Sequence, residues 1–271
     1  MRVVLIFLLM GGDLVFGARG PGENQPVGAR SAGIAHASVM LDDFWCFHHN
    51  QAALAYIHDL SVGFHHQSGY VKEMDHQTMA VIVPAASGSL AASVNCYGYR
   101  HYRQTKAALA YGRQLARFFT AGVQIDYFNT TIAGIYGESH YLTFETGLHY
   151  RINKRWCVGA HLFNPVRTFS GGKHQAVQMP TVFRAGAGVS FSGRGFLCFE
   201  AEKDLGKKVI PKLALEYELA PKFYVRTGVS LNPVLNCFGM GYTWKGLQAD
   251  IAYAFHPFLG RIPNFSMTYA F

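Results

Sequence analysis

The side chains of this chain that could carry chemistry are histidines, carboxylates and a few basic groups, and they stand singly. There are 13 histidines, with adjacent pairs at His48-His49 and His65-His66. Neighbours on a strand point to opposite faces, so such a pair does not make a bidentate metal site. No spacing of His, Cys or Asp matches a known metal motif, and no metal or other cofactor is expected. The chain lacks G-x-S-x-G, H-E-x-x-H, a Walker A loop and a complete G-x-G-x-x-G. A hydrolase would need a serine, a histidine and an acid within reach of one another, which nothing in the spacing provides. The chain therefore reads as a non-enzyme.

What remains is a set of charged and polar residues that alternate with apolar ones. Glu145, His149, His161, Arg184, Glu200, Glu216, Arg226 and Asp250 are its main members, with Lys106, Gln124, Asp126, Glu202 and Glu218 at equivalent positions. Both signs are present. If these residues share an enclosed interior, they need partners, because a buried charge is costly unless paired. Two roles are open: a structural network that seals the interior, or the lining of a ligand path. Arg226, between Val225 and Thr227, is expected to point inward and pair with Glu200, Glu216 or Asp250.

The elements that must position them are strands. After His58 the apolar residues recur with a period of two, the signature of a strand with one greasy face. Phe119, Ala121, Val123, Ile125 and Tyr127 oppose Gly122, Gln124 and Asp126. Ala185, Ala187, Val189 and Phe191 oppose Arg184, Gly186, Gly188 and Ser190. Leu247, Ala249, Ile251, Tyr253 and Phe255 oppose Gln248, Asp250, Ala252 and Ala254. Repeated along the chain, the pattern gives about fourteen strands, an even number as in bacterial outer-membrane barrels. Aromatics such as Phe119, Tyr150, Trp156 and Tyr242 stand near strand ends on the greasy face, where interfacial girdles form. The opposite face is rich in Gly, Ala and Ser.

Composition agrees. Half of the 271 residues are hydrophobic and 15% are charged, with 29 Gly, 21 Phe and 15 Tyr. The formal net charge is +8, but the basic residues are scattered and form no run for nucleic acid. No apolar stretch reaches the roughly 20 residues of a spanning helix. The five cysteines, Cys46, Cys96, Cys157, Cys198 and Cys237, are an odd number and read mainly as small apolar filler.

The two ends carry their own signals. Arg2, the apolar run Val3 to Met10, and the small residues around Val15-Phe16-Gly17-Ala18 read as a signal peptide over residues 1–18. Residues 19–57 lack alternation and read as short helices and turns, too few to hold a core alone. They are expected to pack inside residues 58–271, the barrel. At the other end Phe265, Met267, Tyr269 and Phe271 alternate to a terminal aromatic, which resembles the strand signal read by the barrel-assembly machinery. Counted back from a periplasmic Phe271, loop parity makes Ala85–Gly88, Gly112–Arg117, Ile152–Arg155, Ser192–Gly195, Leu219–Lys222 and Trp244–Gly246 short periplasmic turns. His66–His76, Thr131–His140, Asn164–Pro180 and His256–Pro263 become longer outer loops, the expected asymmetry.

The block Gly28-Ala-Arg-Ser-Ala-Gly33 through Asp42-Asp43, followed by Asn50-Gln51-Ala52-Ala53-Leu54-Ala55, resembles the N-terminal region of FadL-like outer-membrane barrels. Within them it is similar to the PorV/PorQ-type branch linked to type IX secretion. The sequence departs from the family pattern at Gln51, where the family has Pro, at Ala53, where it has Gly, and at His36, which replaces a glycine. The resemblance implies a fourteen-stranded barrel with an N-terminal plug that includes Gly28, Gly33, Asp42, Asp43, Asn50 and Leu54. It implies a plugged outer-membrane channel for small hydrophobic molecules, or an accessory barrel that binds secretion-system proteins. Outer-membrane lipid would be the partner common to both. A soluble β-protein is a third reading, in which the greasy face would form the inside.

Overall fold

Period-two alternation in this chain produces fourteen strands that close into one antiparallel barrel. The computed structural model describes residues 26–69, 74–134, 137–167, 169–170, 177–257 and 260–271. The signal-peptide expectation for residues 1–18 lies outside the described residues, as do the first residues of the segment 19–57 and parts of four outer loops.

In chain order the strands are β1 (Ser61–Gln67), β2 (His76–Ala85), β3 (Gly88–Tyr99), β4 (Tyr102–Ala116), β5 (Phe119–Ile132), β6 (Gly137–Arg151) and β7 (Trp156–Phe163). A two-residue ladder follows in the next loop, β8 (Phe169–Ser170) with β9 (Val177–Gln178). The barrel resumes with β10 (Val182–Phe191), β11 (Gly195–Asp204), β12 (Ile210–Ala220), β13 (Phe223–Ser230), β14 (Leu235–Trp244), β15 (Leu247–His256) and β16 (Gly260–Ala270). Each barrel strand pairs with its sequence neighbour, β7 pairs with β10, and β1 closes the ring on β16 from Ser61↔Ala270 to Gln67↔Asn264.

The turns obey local chemistry. Between β14 and β15 the two turn residues, Lys245 (φ 46°) and Gly246 (φ 85°), are both left-handed. A two-residue hairpin needs this to follow the strand twist. Strands β4, β6 and β16 run further at their ends than alternation alone suggests. β4 continues to Ala116, through most of the turn expected at Gly112–Arg117, and β6 and β16 begin at Gly137 and Gly260, inside the loops expected to end at His140 and Pro263, because ladder pairing carries on past the point where the apolar pattern fades.

The greasy face is outside. Leu109 (68% exposed), Met79 (66%), Leu142 (60%) and Ile125 (57%) lie on the outer wall. Such a belt would be an aggregation hazard in water and is the expected surface of a barrel in lipid.

The inside is occupied by the N-terminal segment. A single turn of helix, α1 (Ala29–Gly33), packs on β13 to β16. Two 3-10 turns follow. The first, Phe44–His48, begins where Asp43 Oδ1 accepts the Trp45 N–H at 3.1 Å. The second, Gln51–Tyr56, begins where Asn50 Oδ1 accepts the Ala52 N–H at 3.2 Å. Both are N-caps that meet donors a helix start leaves unpaired. Val27, Trp45, Phe47 and Leu54 pack on Ile82, Ala91 and Ala110 of the wall. Ile34, Val39, Met40 and Leu41 pack on Cys198 and Ala214. Further out, Phe128, Tyr141 and Phe163 form a third cluster with Met179 and Val182.

Candidate functional site: the filled lumen and its polar network

The segment approaches the wall closely where the wall has no side chain. Gly112, Gly122 and Gly147 are cross-strand partners on β4, β5 and β6. A Cβ on Gly122 would lie 2.3 Å from the Gln51 carbonyl carbon, and one on Gly112 would lie 2.3 Å from the Gln51 oxygen. Gly159 stands in the same relation to the Val39 carbonyl, Gly228 to Ile34, and Gly239 to Gly33. His36, where the resemblance has glycine, adopts φ 57°, a conformation that glycine takes without cost. Its Nδ1 hydrogen-bonds Ser31 Oγ at 3.0 Å.

All eight sequence-selected wall residues face the interior and are buried. Seven of them fall into three clusters, each tied to the segment, and His149 bonds the segment by itself. In the first, Lys106 (β4) bonds Glu145 (β6) at 2.8 Å and Asp126 (β5) at 3.2 Å. Glu145 Oε2 also accepts from His161 Nε2 at 2.8 Å and from Gln51 Nε2 at 2.7 Å. Because a carboxylate oxygen accepts, the His161 proton sits on Nε2. Gln51 also donates to Phe47 O, so its amide joins the segment to the wall; the proline of the family pattern would have no such group.

In the second cluster Lys212 (β12) bonds Glu200 and Glu202 (β11) at 2.8 Å each, and donates to His36 O. Arg184 (β10) reaches Glu202 at 3.2 Å. The other Glu200 oxygen accepts both the Ser38 and Val39 N–H groups at 2.8 Å, so a wall carboxylate holds segment backbone.

In the third, Arg226 (β13) bonds Glu216 (β12) at 2.5 Å and Asp250 (β15) at 2.6 Å. Of the three partners expected for Arg226, Glu200 is bonded instead to Lys212. Arg30 of the segment enters the same cluster through Glu216, and Asp43 lies 3.4 Å from Arg30. His149 donates from Nε2 to Met40 O at 3.1 Å and accepts from the Tyr56 hydroxyl at 3.3 Å. Asp42 differs from these: it is exposed and pairs with Arg151, whose guanidinium lies 3.5 Å over the Tyr56 ring.

The arrangement sets each charge beside an opposite one, while Arg184 Nε and Nη1 and Asp126 Oδ2 have no hydrogen-bond partner among the described residues. The imidazole–carboxylate pair of His161 and Glu145 has Lys106, Gln51 and Gln124 as its other hydrogen-bonding neighbours, all donors. Sequence selected these residues by parity; it held no sign of which would meet, because that depends on register and on the path of the segment.

A groove of about 140 Å³ lies on the outer wall, lined by Ile251, Tyr253, Pro263 and Phe265 with His66, Ser68 and Asn264. Pro263 sits in β16 opposite Tyr253 and brings no N–H to the ladder.

This fold and filled interior define a class: closed fourteen-stranded barrels with an apolar outer face. No protein-family model matches the chain, and no curated protein matches it. Among solved structures it is similar in fold to a Pseudomonas aeruginosa FadL homologue, at 13% identity and TM-score 0.66, covering 91% of this chain and 99% of that one. It is similar also to the CymD monoaromatic hydrocarbon channel, at 12% identity and TM-score 0.65 over 90% and 97%. The Pseudomonas putida toluene transporter TodX matches at 11% identity and TM-score 0.63 over 89% and 96%. At such identities the likeness is one of fold.

Proposed function

We propose that this chain is an exported outer-membrane barrel, with a signal peptide over residues 1–18, a plug over 19–57 and the barrel over 58–271, and that it is a plugged channel for small hydrophobic molecules. The observation that carries the reading is how the lumen is filled. The plug is held by hydrogen bonds and ion pairs to inward wall residues. Together with the apolar contacts of Trp45, Leu54 and Met40, these hold the plug without any strand pairing to the wall, so it can shift while the barrel ladder stays closed. The structural neighbours are consistent with this, since their names describe hydrocarbon channels and a toluene transporter. The lipid-facing groove at Pro263 offers an apolar surface at which such a molecule could lodge. On this reading Glu145, His149, His161, Arg184, Glu200, Glu216, Arg226 and Asp250 hold the plug and line the path it covers.

Proteoliposomes loaded with a hydrophobic dye test this. The full chain should pass dye faster than empty liposomes, and deletion of residues 28–56 should raise the rate further. Equal rates for full chain, deletion and empty liposomes would overturn it.

The second reading is the PorV/PorQ-type accessory barrel of type IX secretion, favoured by the likeness of Gly28–Asp43 and Asn50–Ala55 to that branch. Its mark would be stoichiometric protein partners on purification from membranes. Under either reading β16, followed by the exposed Phe271 whose N–H donates to Leu60 O at 2.9 Å, is the strand we propose the barrel-assembly machinery reads.

A further inference from the structure

One part of the interior departs from the pattern of paired groups. On the outer half of β1 to β4, His65, Thr78 and Asn95 are consecutive cross-strand partners facing inward. Gln104 of β4 lies one inward position above this row, and His48 of the N-terminal segment is buried beside Trp45, whose ring stands 6.0 Å from that of His65. All five are at least nine-tenths buried. The Nε2 of His65, the Thr78 hydroxyl, Asn95 Oδ1, Gln104 Nε2 and both ring nitrogens of His48 have no hydrogen-bond partner among the described residues. Buried polar atoms are nearly always paired, and a cluster of exceptions calls for an explanation. A second set of unpaired atoms, Gln51 Oε1, Gln124 Oε1, Asp126 Oδ2 and His161 Nδ1, surrounds the Lys106–Glu145 pair, but that set lies among charged groups and the row at His65 does not.

The chemistry of the missing partner can be read from these atoms. His65 Nδ1 lies 3.1 Å from the Phe265 carbonyl, which only accepts. In the neutral ring that fixes the proton on Nδ1 and leaves Nε2 an acceptor. Asn95 Oδ1 is an acceptor, Gln104 Nε2 a donor, and Thr78 can be either. Lys106, at the end of the row, is committed to Glu145 and Asp126. The patch thus offers hydrogen bonds of both kinds and no free charge, which selects a neutral guest with hydroxyl or similar groups.

The same wall also carries a ladder of edge-to-face rings. Trp45 and His65 stand 6.0 Å apart at 61°, and His65 and His76 6.0 Å apart at 79°. The ladder continues to Tyr97 at 6.5 Å and from there to Tyr102 at 6.4 Å, running from the segment toward the outer rim. Aromatic rings prefer this packing, and a planar aromatic guest can extend it.

We propose that the outer lumen wall formed by His65, Thr78, Asn95 and Gln104 is a binding site for neutral hydroxylated aromatics of the phenol class. The proposal rests on the channel reading and narrows it: the preferred substrate carries a hydroxyl and is not a bare hydrocarbon.

The test compares p-cresol with toluene, which differ by one hydroxyl, on the full chain in detergent by saturation-transfer NMR referenced to empty micelles. Glucose serves as a hydroxylated compound without an aromatic ring. The site should bind p-cresol about tenfold more tightly than toluene, the ratio one buried hydrogen bond supplies. Thr78→Val with Asn95→Leu, and separately Gln104→Leu, should each weaken p-cresol by about tenfold and leave toluene unchanged. All three replacements put apolar groups where unpaired polar ones stood, so the barrel should still fold, as heat-modifiable gel mobility would show. Equal binding of p-cresol and toluene, unchanged p-cresol binding in the variants, absence of binding, or binding of glucose in place of p-cresol would each overturn the site. Dye passage in proteoliposomes reports separately on the channel reading, so failure of one does not imply failure of the other.

Discussion

Arg30 and Glu216 are joined by two parallel hydrogen bonds, Nε to Oε2 at 2.9 Å and Nη2 to Oε1 at 2.6 Å. One residue belongs to the segment inside the barrel and the other to the wall. This fork geometry is the strong form of a charge pair. Glu216 also binds Arg226, so a single carboxylate is shared by two guanidiniums, with Asp250 and Asp43 beside them. Glu216→Gln should therefore loosen the segment more than Arg30→Met, which leaves Glu216 its second partner. The expected loss for Glu216→Gln is roughly 3 kcal/mol, as for removal of one member of a buried pair. Hydrogen exchange of the amides of residues 29–33 measures it, and equal exchange in the two variants would contradict the shared-carboxylate arrangement.

Gly122→Ala introduces a methyl group 2.3 Å from the Gln51 carbonyl carbon and 2.6 Å from the Ala52 nitrogen. Backbone cannot swing aside as a side chain can, so the segment must move. The expected cost is about 1–3 kcal/mol, the range for overpacking. It should appear as faster proteolysis of the segment with the barrel intact. Leu109→Ala on the outer wall is the control and should leave proteolysis of the segment unchanged.

Inside and outside are tested by one pair of substitutions. Leu109→Arg places a charge on the lipid face in the middle of β4 and should cost about 2–4 kcal/mol of insertion. Arg226→Leu removes an inward charge and should leave insertion intact while depriving Asp250 of its ion pair and leaving Glu216 with Arg30 alone. Refolding into liposomes, followed by gel mobility, distinguishes them. Normal insertion of Leu109→Arg would overturn the assignment of faces.

Acid should release the segment. His49 hydrogen-bonds Val27 O at 2.8 Å, and burial lowers its pKa from about 6.5 to about 3. Burial lowers that of His48 as well. Both are neutral when docked and take a proton readily when released. Docking is therefore at full strength above about pH 6.5 and weakens as pH falls toward 3. Segment proteolysis or exchange, followed from pH 7 to pH 4, should rise in the wild type and rise less in His49→Gln.

Much of this architecture was legible before any coordinates. Alternation alone assigns Gln124 and Asp126 to one face and Ile125 and Tyr127 to the other, because strand parity is a local property. The histidine pair His65-His66 follows the same rule: His65 is buried inward and His66 lies at the outer groove. His48-His49 does not, because both sit at the end of a 3-10 turn and both are buried. What could not be read was which charges meet. Lys106 and Glu145 are separated by β5, and their contact depends on the register of two hairpins. The unpaired row His65–Thr78–Asn95 was equally hidden, since each residue alone is an ordinary inward polar group.

The three facing glycines on β4, β5 and β6 have a consequence for how this sequence can change. They form a cast of the segment's backbone, written into the wall as absent side chains. Only one path through the lumen fits that cast. An insertion between Gly33 and Gln51 would slide side chains onto the glycine row and lift the segment off it, although every wall residue stayed the same. Wall and segment are in this sense a single mould and its casting, and a substitution in either must be matched in the other. A barrel of this type should accept a foreign segment only when the glycines of its wall are moved along with it.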